Sequence, residues 1–375
     1  MKKYAIFFPQ FHQVKVNDLA WGKGFTDWAL IATANAFNYW NRRAPACGFY
    51  DLSKKNIVQE RFEEAANSGL DGFGIYHYHF VDGPELDAVE NYLQNAELPL
   101  NFSYFFIWAN ENWSKRWAGK DTELLKIVSK NPSREQVQNH VAYLKPYMQK
   151  ECYTKFNGRP IFVIYRPDFF EDLVATLAIY RQEFKIAGIN PAVGFFLKNT
   201  SEVFYSDIFD FCYLFEPRLY QNFTGLRNNR FVHFLSKRLI HSISYSSLEY
   251  LSRSVVKLLK QSSQSRPFSK FLDYFTSPER KALVSSLECP VQNVLTSGWN
   301  NAPRYREQFN EIVQAPSNEQ FSQLVTMAVH DNEISKDIPL MCNAWNEWSE
   351  GAAIEPCSYL GDGLLKAYVG ENRKF

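Results

Sequence analysis

"IPLMCNAWNE", residues 338–347, starts apolar and ends in a polar and aromatic cluster. Leu340, Met341 and Cys342 are apolar at consecutive positions, so both faces of this segment want cover. An amphipathic strand would alternate; a strand covered on both faces belongs to a parallel sheet. Seven earlier runs share this character: "YAIFFP" (4–9), "GFGIYHY" (72–78), "SYFFIWAN" (103–110), "PIFVIYR" (160–166), "AVGFFLK" (192–198), "DFCYLFE" (210–216) and "VQNVLTSGW" (291–299). Helical patterns lie between several of them, near 57–68 with Gly69 as a stop, 85–95, 134–150 and 169–187. Eight such units predict an α/β fold, a (β/α)8 TIM barrel. An open doubly wound sheet is the alternative. It fits less well, because no glycine-rich phosphate loop follows the first run.

In a TIM barrel the active site lies at the carboxyl ends of the strands. The first run ends in Gln10, Phe11 and His12, and the second in Tyr76, His77, Tyr78 and His79. The third ends in Trp108, Asn110, Glu111, Asn112 and Trp113, and the fourth in Tyr165 and Arg166. Glu216 closes the sixth, Trp299 and Asn300 the seventh, and Asn346, Glu347, Trp348 and Glu350 the eighth. Loops that merely bridge elements favour Ser, Gly and Lys; these ends favour Trp, Tyr, Glu and Asn. Aromatics make up 17% of the chain, with 21 Tyr and 9 Trp, which suits a cleft for a flat, amphipathic ligand such as a sugar.

Breaking a glycosidic bond takes a proton donor for the leaving oxygen and a base or nucleophile at the sugar, and two carboxyl groups supply both. Glu347 and Glu350 are close enough in sequence to share one cleft, and aromatic neighbours can hold one of them protonated by desolvation. A bare i, i+3 glutamate pair is common on helix surfaces. The flanking tryptophans and the apolar run before it set this one apart.

The ordered set "FFPQFH", "WGKGFTDW", "GLDGFGIYHYHF", "WANENWSKRWAG", "GWNNAPR" and "WNEWSEG" resembles the WbsX-like proteins, relatives of glycoside hydrolase family 99, the endo-α-mannosidase family. The resemblance implies a TIM barrel and retaining cleavage with no metal or other cofactor. It also implies that Glu347 deprotonates the sugar 2-hydroxyl, which attacks C1 to give a 1,2-anhydro sugar, while Glu350 protonates the leaving group. Two positions depart from the pattern: His77 and His79 stand where Tyr and Trp are usual, and Asn300 stands where an aspartate is expected. WbsX-like proteins also belong to bacterial surface-polysaccharide assembly. A glycosyltransferase on the same site, and a barrel that only binds carbohydrate, are therefore the competing functions.

Several residues carry two readings. His77 and His79 point to one face of a strand, as ligands of a metal or as partners of sugar hydroxyls and carboxylates. Arg166 binds an acidic sugar or pairs with Glu216 or Glu111. Trp108, Trp113 and Trp117 divide between core and sugar platform.

The net charge of +1 gives no global field toward nucleic acid. Six scattered cysteines without C-x-x-C spacing read as buried thiols of a reducing compartment. The first residues lack a cleavage site after their apolar run, and no stretch is long enough to span a membrane, so a cytoplasmic protein is expected. Residues 218–290 form a basic insertion between the sixth and seventh strands, with 12 Lys and Arg against 4 Asp and Glu. Within it, Leu248, Leu251, Val255 and Leu259 recur at helical spacing beside Arg253, Lys257 and Lys260. Such a segment can lie on an anionic membrane surface or pack on the barrel.

Overall fold

A computed structural model describes residues 1–36, 44–115, 120–223, 266–305 and 311–370. Eight parallel strands close on themselves: β1 (Lys3–Phe7), β2 (Gly72–Phe80), β3 (Ser103–Trp108), β4 (Arg159–Ile164), β5 (Ala192–Leu197), β6 (Phe211–Phe215), β7 (Val291–Thr296) and β8 (Leu340–Asn343). Each pairs with its neighbour in sequence, and β1 pairs with both β2 and β8, which shuts the ring. The registers Tyr4↔Gly72 and Lys3↔Leu340 make that closure. This is the (β/α)8 barrel, and the open-sheet alternative falls.

The helices are α1 (Lys15–Trp21), α2 (Asp27–Ala36), α3 (Lys55–Asn67), α4 (Ala88–Leu93), α5 (Arg134–Met148), α6 (Leu173–Ile186), α7 (Arg218–Phe223), α8 (Phe268–Phe275), α9 (Pro278–Ser285), α10 (Ala302–Tyr305), α11 (Asn318–His330) and α12 (Gly363–Val369). Local chemistry sets their ends. Ser133 caps α5 in a reciprocal box with Gln136. The expected helix at 169–187 starts later, at Leu173, because Pro167–Phe169 forms a separate turn and Asp172 caps the helix through the Ala175 N–H. Gly69 stops α3 with a φ of 90°, and the bonds Gly69 N→Ala66 O and Leu70 N→Ala65 O complete a Schellman closure.

Strand alternation sorts the side chains into two layers. Tyr4, Phe105, Phe196 and Tyr213 fill the barrel interior, and small residues make room for them. A Cβ on Gly194 would lie 2.3 Å from the Phe211 ring, so only glycine fits there. Phe7, Phe73, Phe106 and Phe162 point outward into the helices. Phe62 of α3 meets Phe7, Phe73, Tyr92 and Phe102 with ring centroids 5.0–5.9 Å apart. Truncating so enclosed a ring costs about 3–5 kcal/mol.

Within the 218–290 segment, the described portions pack on the barrel. Tyr274 of α8 and Arg280 of α9 bond to Glu216 and Asn293 at the outside of β6 and β7. The stretch with Leu248 to Lys260 lies outside the described residues, as does Trp117. Of the six cysteines, Cys47 is exposed and Cys152 half-buried, while Cys212, Cys289, Cys342 and Cys357 are buried, all as free thiols. No described helix is long and apolar enough to cross a membrane.

Candidate active site

The chain leaving β8 is tied to the chain leaving β1. Asn346 accepts from the Phe8 N–H at 2.7 Å and donates to the Phe8 carbonyl at 2.9 Å, while Trp345 N–H bonds Ile6 O at 2.7 Å. A short turn, Trp348–Glu350, follows and ends at Gly351 with a φ of 64°. The rigid loop so formed presents Glu347 and Glu350 at the carboxyl end of the barrel. Arg304 of α10 joins them: Nη2 lies 3.3 Å from Glu347 Oε2 and 3.4 Å from Asp27 Oδ2, and Nη1 donates to Glu350 Oε1. Trp299 Nε1–H donates to the other Glu350 oxygen at 2.8 Å. Asp27 is anchored by the Ser349 hydroxyl at 3.0 Å.

Electrostatics separates the two glutamates. Burial pushes Glu347 well above the usual carboxyl range; Arg304 opposes this, and the negative charges of Glu350 and Asp27 add to it. Burial also pushes Glu350 up, but Arg304, Arg218 and the Trp299 N–H outweigh it and hold its carboxyl below the usual range. The two shifts therefore run in opposite directions, Glu347 up and Glu350 down. Burial raises Tyr76 and Tyr78 well above the usual phenol range and keeps both neutral. Gln10 donates to Tyr78 Oη at 3.0 Å, and Tyr165 meets Tyr76 edge-on at 5.8 Å. The site is thus a carboxyl pair with a shared cation and an aromatic wall of hydroxyl donors, a composition suited to acid–base work on a polyhydroxylated substrate.

A family model described as glycosyltransferase WbsX matches residues 3–368. The chain belongs to the WbsX family. Curated relatives named uncharacterized protein WxcX, from two strains of Xanthomonas campestris pv. campestris, are 27% and 28% identical over 369 residues. Those matches cover 97% of this chain and 48% of the relatives, so the chain spans about half their length. Among solved structures, the family 99 endo-α-mannosidase of Bacteroides thetaiotaomicron superposes with a TM-score of 0.55 at 12% identity, covering 98% of this chain and 95% of that one. A glycoside hydrolase-like protein superposes at 0.58 and 13% identity, over 100% and 94% of the two chains. At this identity the likeness to the solved structures shows the barrel fold.

In this WbsX-family barrel, Glu347, Glu350, Tyr76, Tyr78 and Trp299 come together around Arg304. Asn300 accepts the Ala302 N–H at 2.9 Å and so starts the helix that carries Arg304. Trp113 packs edge-on to Tyr78 at 5.2 Å. His12 is buried behind the end of β1, where burial lowers its pKa, and its Nδ1 has no hydrogen-bond partner among the described residues. Arg166 pairs with Asp168 at 2.7 Å and with Glu111 at 3.4 Å, so of its two readings the structure shows the ion pair.

Other expected substrate contacts require correction. His77 and His79 do share a face, but it is the outer one. His77 Nδ1 lies 2.8 Å from Glu90 Oε1 and its Nε2 lies 2.8 Å from His140 Nε2, whose Nδ1 meets Tyr180 Oη at 2.8 Å. His79 stacks on His140 at 4.2 Å. Trp108 also points outward and donates to His79 O at 3.2 Å. Glu216 faces outward too, fully buried between Tyr274, Arg280 and the Tyr220 N–H. Asn110 spends its amide on Arg166 N and O, and Trp348 is buried with its N–H on Glu355 at 2.7 Å. Asn346 is the strand clamp described above. Among the described residues, no group of three or more His, Cys, Asp or Glu side chains is arranged to hold a metal.

Arg304, Asp27 and Arg218 were not singled out from the sequence. Arg304 and Asp27 sit within "GWNNAPR" and "WGKGFTDW", motifs whose aromatic residues drew attention first. Arg218 follows the sixth run with no motif around it.

Proposed function

We propose that the chain is a retaining, metal-independent glycoside hydrolase acting on a mannose-type or related bacterial surface glycan, with Glu347 and Glu350 as the catalytic residues. The observation that carries this reading is Arg304, which touches both carboxyls at the carboxyl end of the barrel. In the route the resemblance implies, Glu347 removes the 2-hydroxyl proton, O2 bonds to C1, and the C1–oxygen bond to the leaving group breaks as Glu350 gives that oxygen its proton. Water then opens the 1,2-anhydro ring at C1; Glu350 takes the water's proton and Glu347 returns one to O2. This requires the proton on Glu350 when substrate is bound, against the direction of both shifts, so substrate binding has to relocate it.

The family's description favours a second reading. With a sugar hydroxyl in place of water at the second step, the same pair would perform glycosyl transfer in surface-polysaccharide assembly. The test is incubation with mannose-containing surface glycans, with and without nucleotide sugars, and products read by mass. Shortened glycans without any nucleotide, released with retained anomeric configuration, support the hydrolase. Growth that needs a nucleotide sugar supports the transferase. No change across such a panel leaves a carbohydrate-binding barrel. We further place the chain in the cytoplasm, at the inner face of the membrane, on the strength of the basic 218–290 segment.

A further inference from the structure

Arg218 opens α7, directly after β6. Its guanidinium lies 4.7 Å from the centroid of the Trp299 ring, the same indole that donates to Glu350 at 2.8 Å. Its charge acts on both the Glu350 carboxyl and the Tyr165 phenol, which places it in the cleft on the Glu350 side. The other cations there are compensated. Arg304 faces three carboxyls, Arg166 faces Asp168 and Glu111, and Lys198 bonds the Tyr165 carbonyl with Asp168 3.9 Å away. Arg218 makes only a long contact to the neutral Gln221 amide, 3.4 Å, and has no carboxylate in ion-pair range among the described residues. It is half-buried and held over the Trp299 ring. A guanidinium fixed this way offers a donor fork matched to a carboxylate or phosphate.

We propose that Arg218 and Trp299 form an anion subsite beside Glu350, which takes the carboxylate or phosphate of an acidic glycan on the leaving-group side. The side rests on the reading of Glu350 as the residue serving the leaving group. A uronic acid and a sugar phosphate present the same oxyanion edge to the fork, and separate arms of the experiment tell them apart. In either case the buried Trp299 ring backs the guanidinium while the fork holds the ligand's charge, and a neutral glycan leaves the fork unused.

The intact protein is titrated with mannose, mannuronate and mannose 1-phosphate, and binding is followed by NMR of the ligand. At least one anion should bind about tenfold more tightly than mannose, the worth of one charged hydrogen-bond pair. Arg218→Gln should abolish that preference, and Arg218→Lys, which keeps charge without the fork, should restore part of it. Thermal midpoints matching the wild type confirm that the variants fold. Equal binding of all three sugars, or a preference that survives Arg218→Gln, overturns the subsite. Because nothing turns over in this assay, the two readings fail separately. A chain that holds the anion through Arg218 yet cleaves nothing refutes the hydrolase alone; one that cleaves neutral glycans and ignores anions refutes the subsite alone.

Discussion

Arg304 contacts both carboxyls, and its removal should show in the pH profile. A cation beside two carboxyls lowers the pKa of both, by 1.4 kcal/mol for each tenfold change. A working pair carries one proton, so the acid limb of kcat/KM marks the second proton's arrival and the basic limb marks loss of the first. In Arg304→Gln both limbs should move to higher pH. Arg304→Lys retains the charge and should move them less, which separates lost charge from lost fold. Unmoved limbs in an active Arg304→Gln enzyme would mean that Arg304 does not govern the pair. The glutamates were legible because tryptophans flank them after a buried run; Arg304 was not, because only the closed barrel brings its loop to theirs.

Strands β2, β3 and β6 show where the sequence stops informing. Their positions were readable from consecutive apolar residues, and alternation placed His77 and His79 on one face. Which face is set by the neighbours: Gly74 leaves room inside for Ile107 and Met341, and the histidines meet Glu90 and His140 outside. With both nitrogens of His77 and His140 already bonded, their role is to satisfy each other. His77→Ala should destabilise the fold by about 1–3 kcal/mol, read from denaturant midpoints, and leave KM for the glycan unchanged. A large KM change at unchanged stability would restore the sugar-binding role. Activity should likewise survive prolonged EDTA treatment; loss that a divalent ion reverses would contradict this account of the histidines.

Glu216 offers a second check at this scale. Burial raises its pKa to about 7, against the pull of Arg280. A folded-state pKa above the unfolded one means that the native state binds the proton more tightly. The stability from Glu216 is therefore full below pH ~4.3 and is lost as pH rises toward about 7. Glu216→Gln mimics the protonated form, so its stability relative to wild type should rise across that window and level off above it. A difference independent of pH would show that Glu216 is ionised throughout.

At the scale of the whole molecule, the barrel gathers residues from positions 27 to 350 at one mouth, and the 218–290 segment departs from it in charge. The described ends of that segment are barrel helices. The membrane proposal thus rests on Arg253, Lys257, Lys260 and the apolar residues between them. Co-sedimentation should show binding to anionic vesicles but not neutral ones, weakened by salt and by neutralising those three residues. Equal indifference to both vesicle types would contradict it.

The central claim is that one carboxyl pair carries the chemistry. Its most direct test is turnover of a cleavable surface glycan by the wild type, Glu347→Gln and Glu350→Gln, with products counted by mass and folding checked by thermal midpoint. Each change keeps the side chain's shape and removes its ability to trade a proton. We predict folded variants with rates lower by on the order of 10²–10⁴, and partial recovery of Glu350→Gln alone on a substrate whose activated leaving group needs no protonation. Near wild-type turnover by either folded variant would contradict the account.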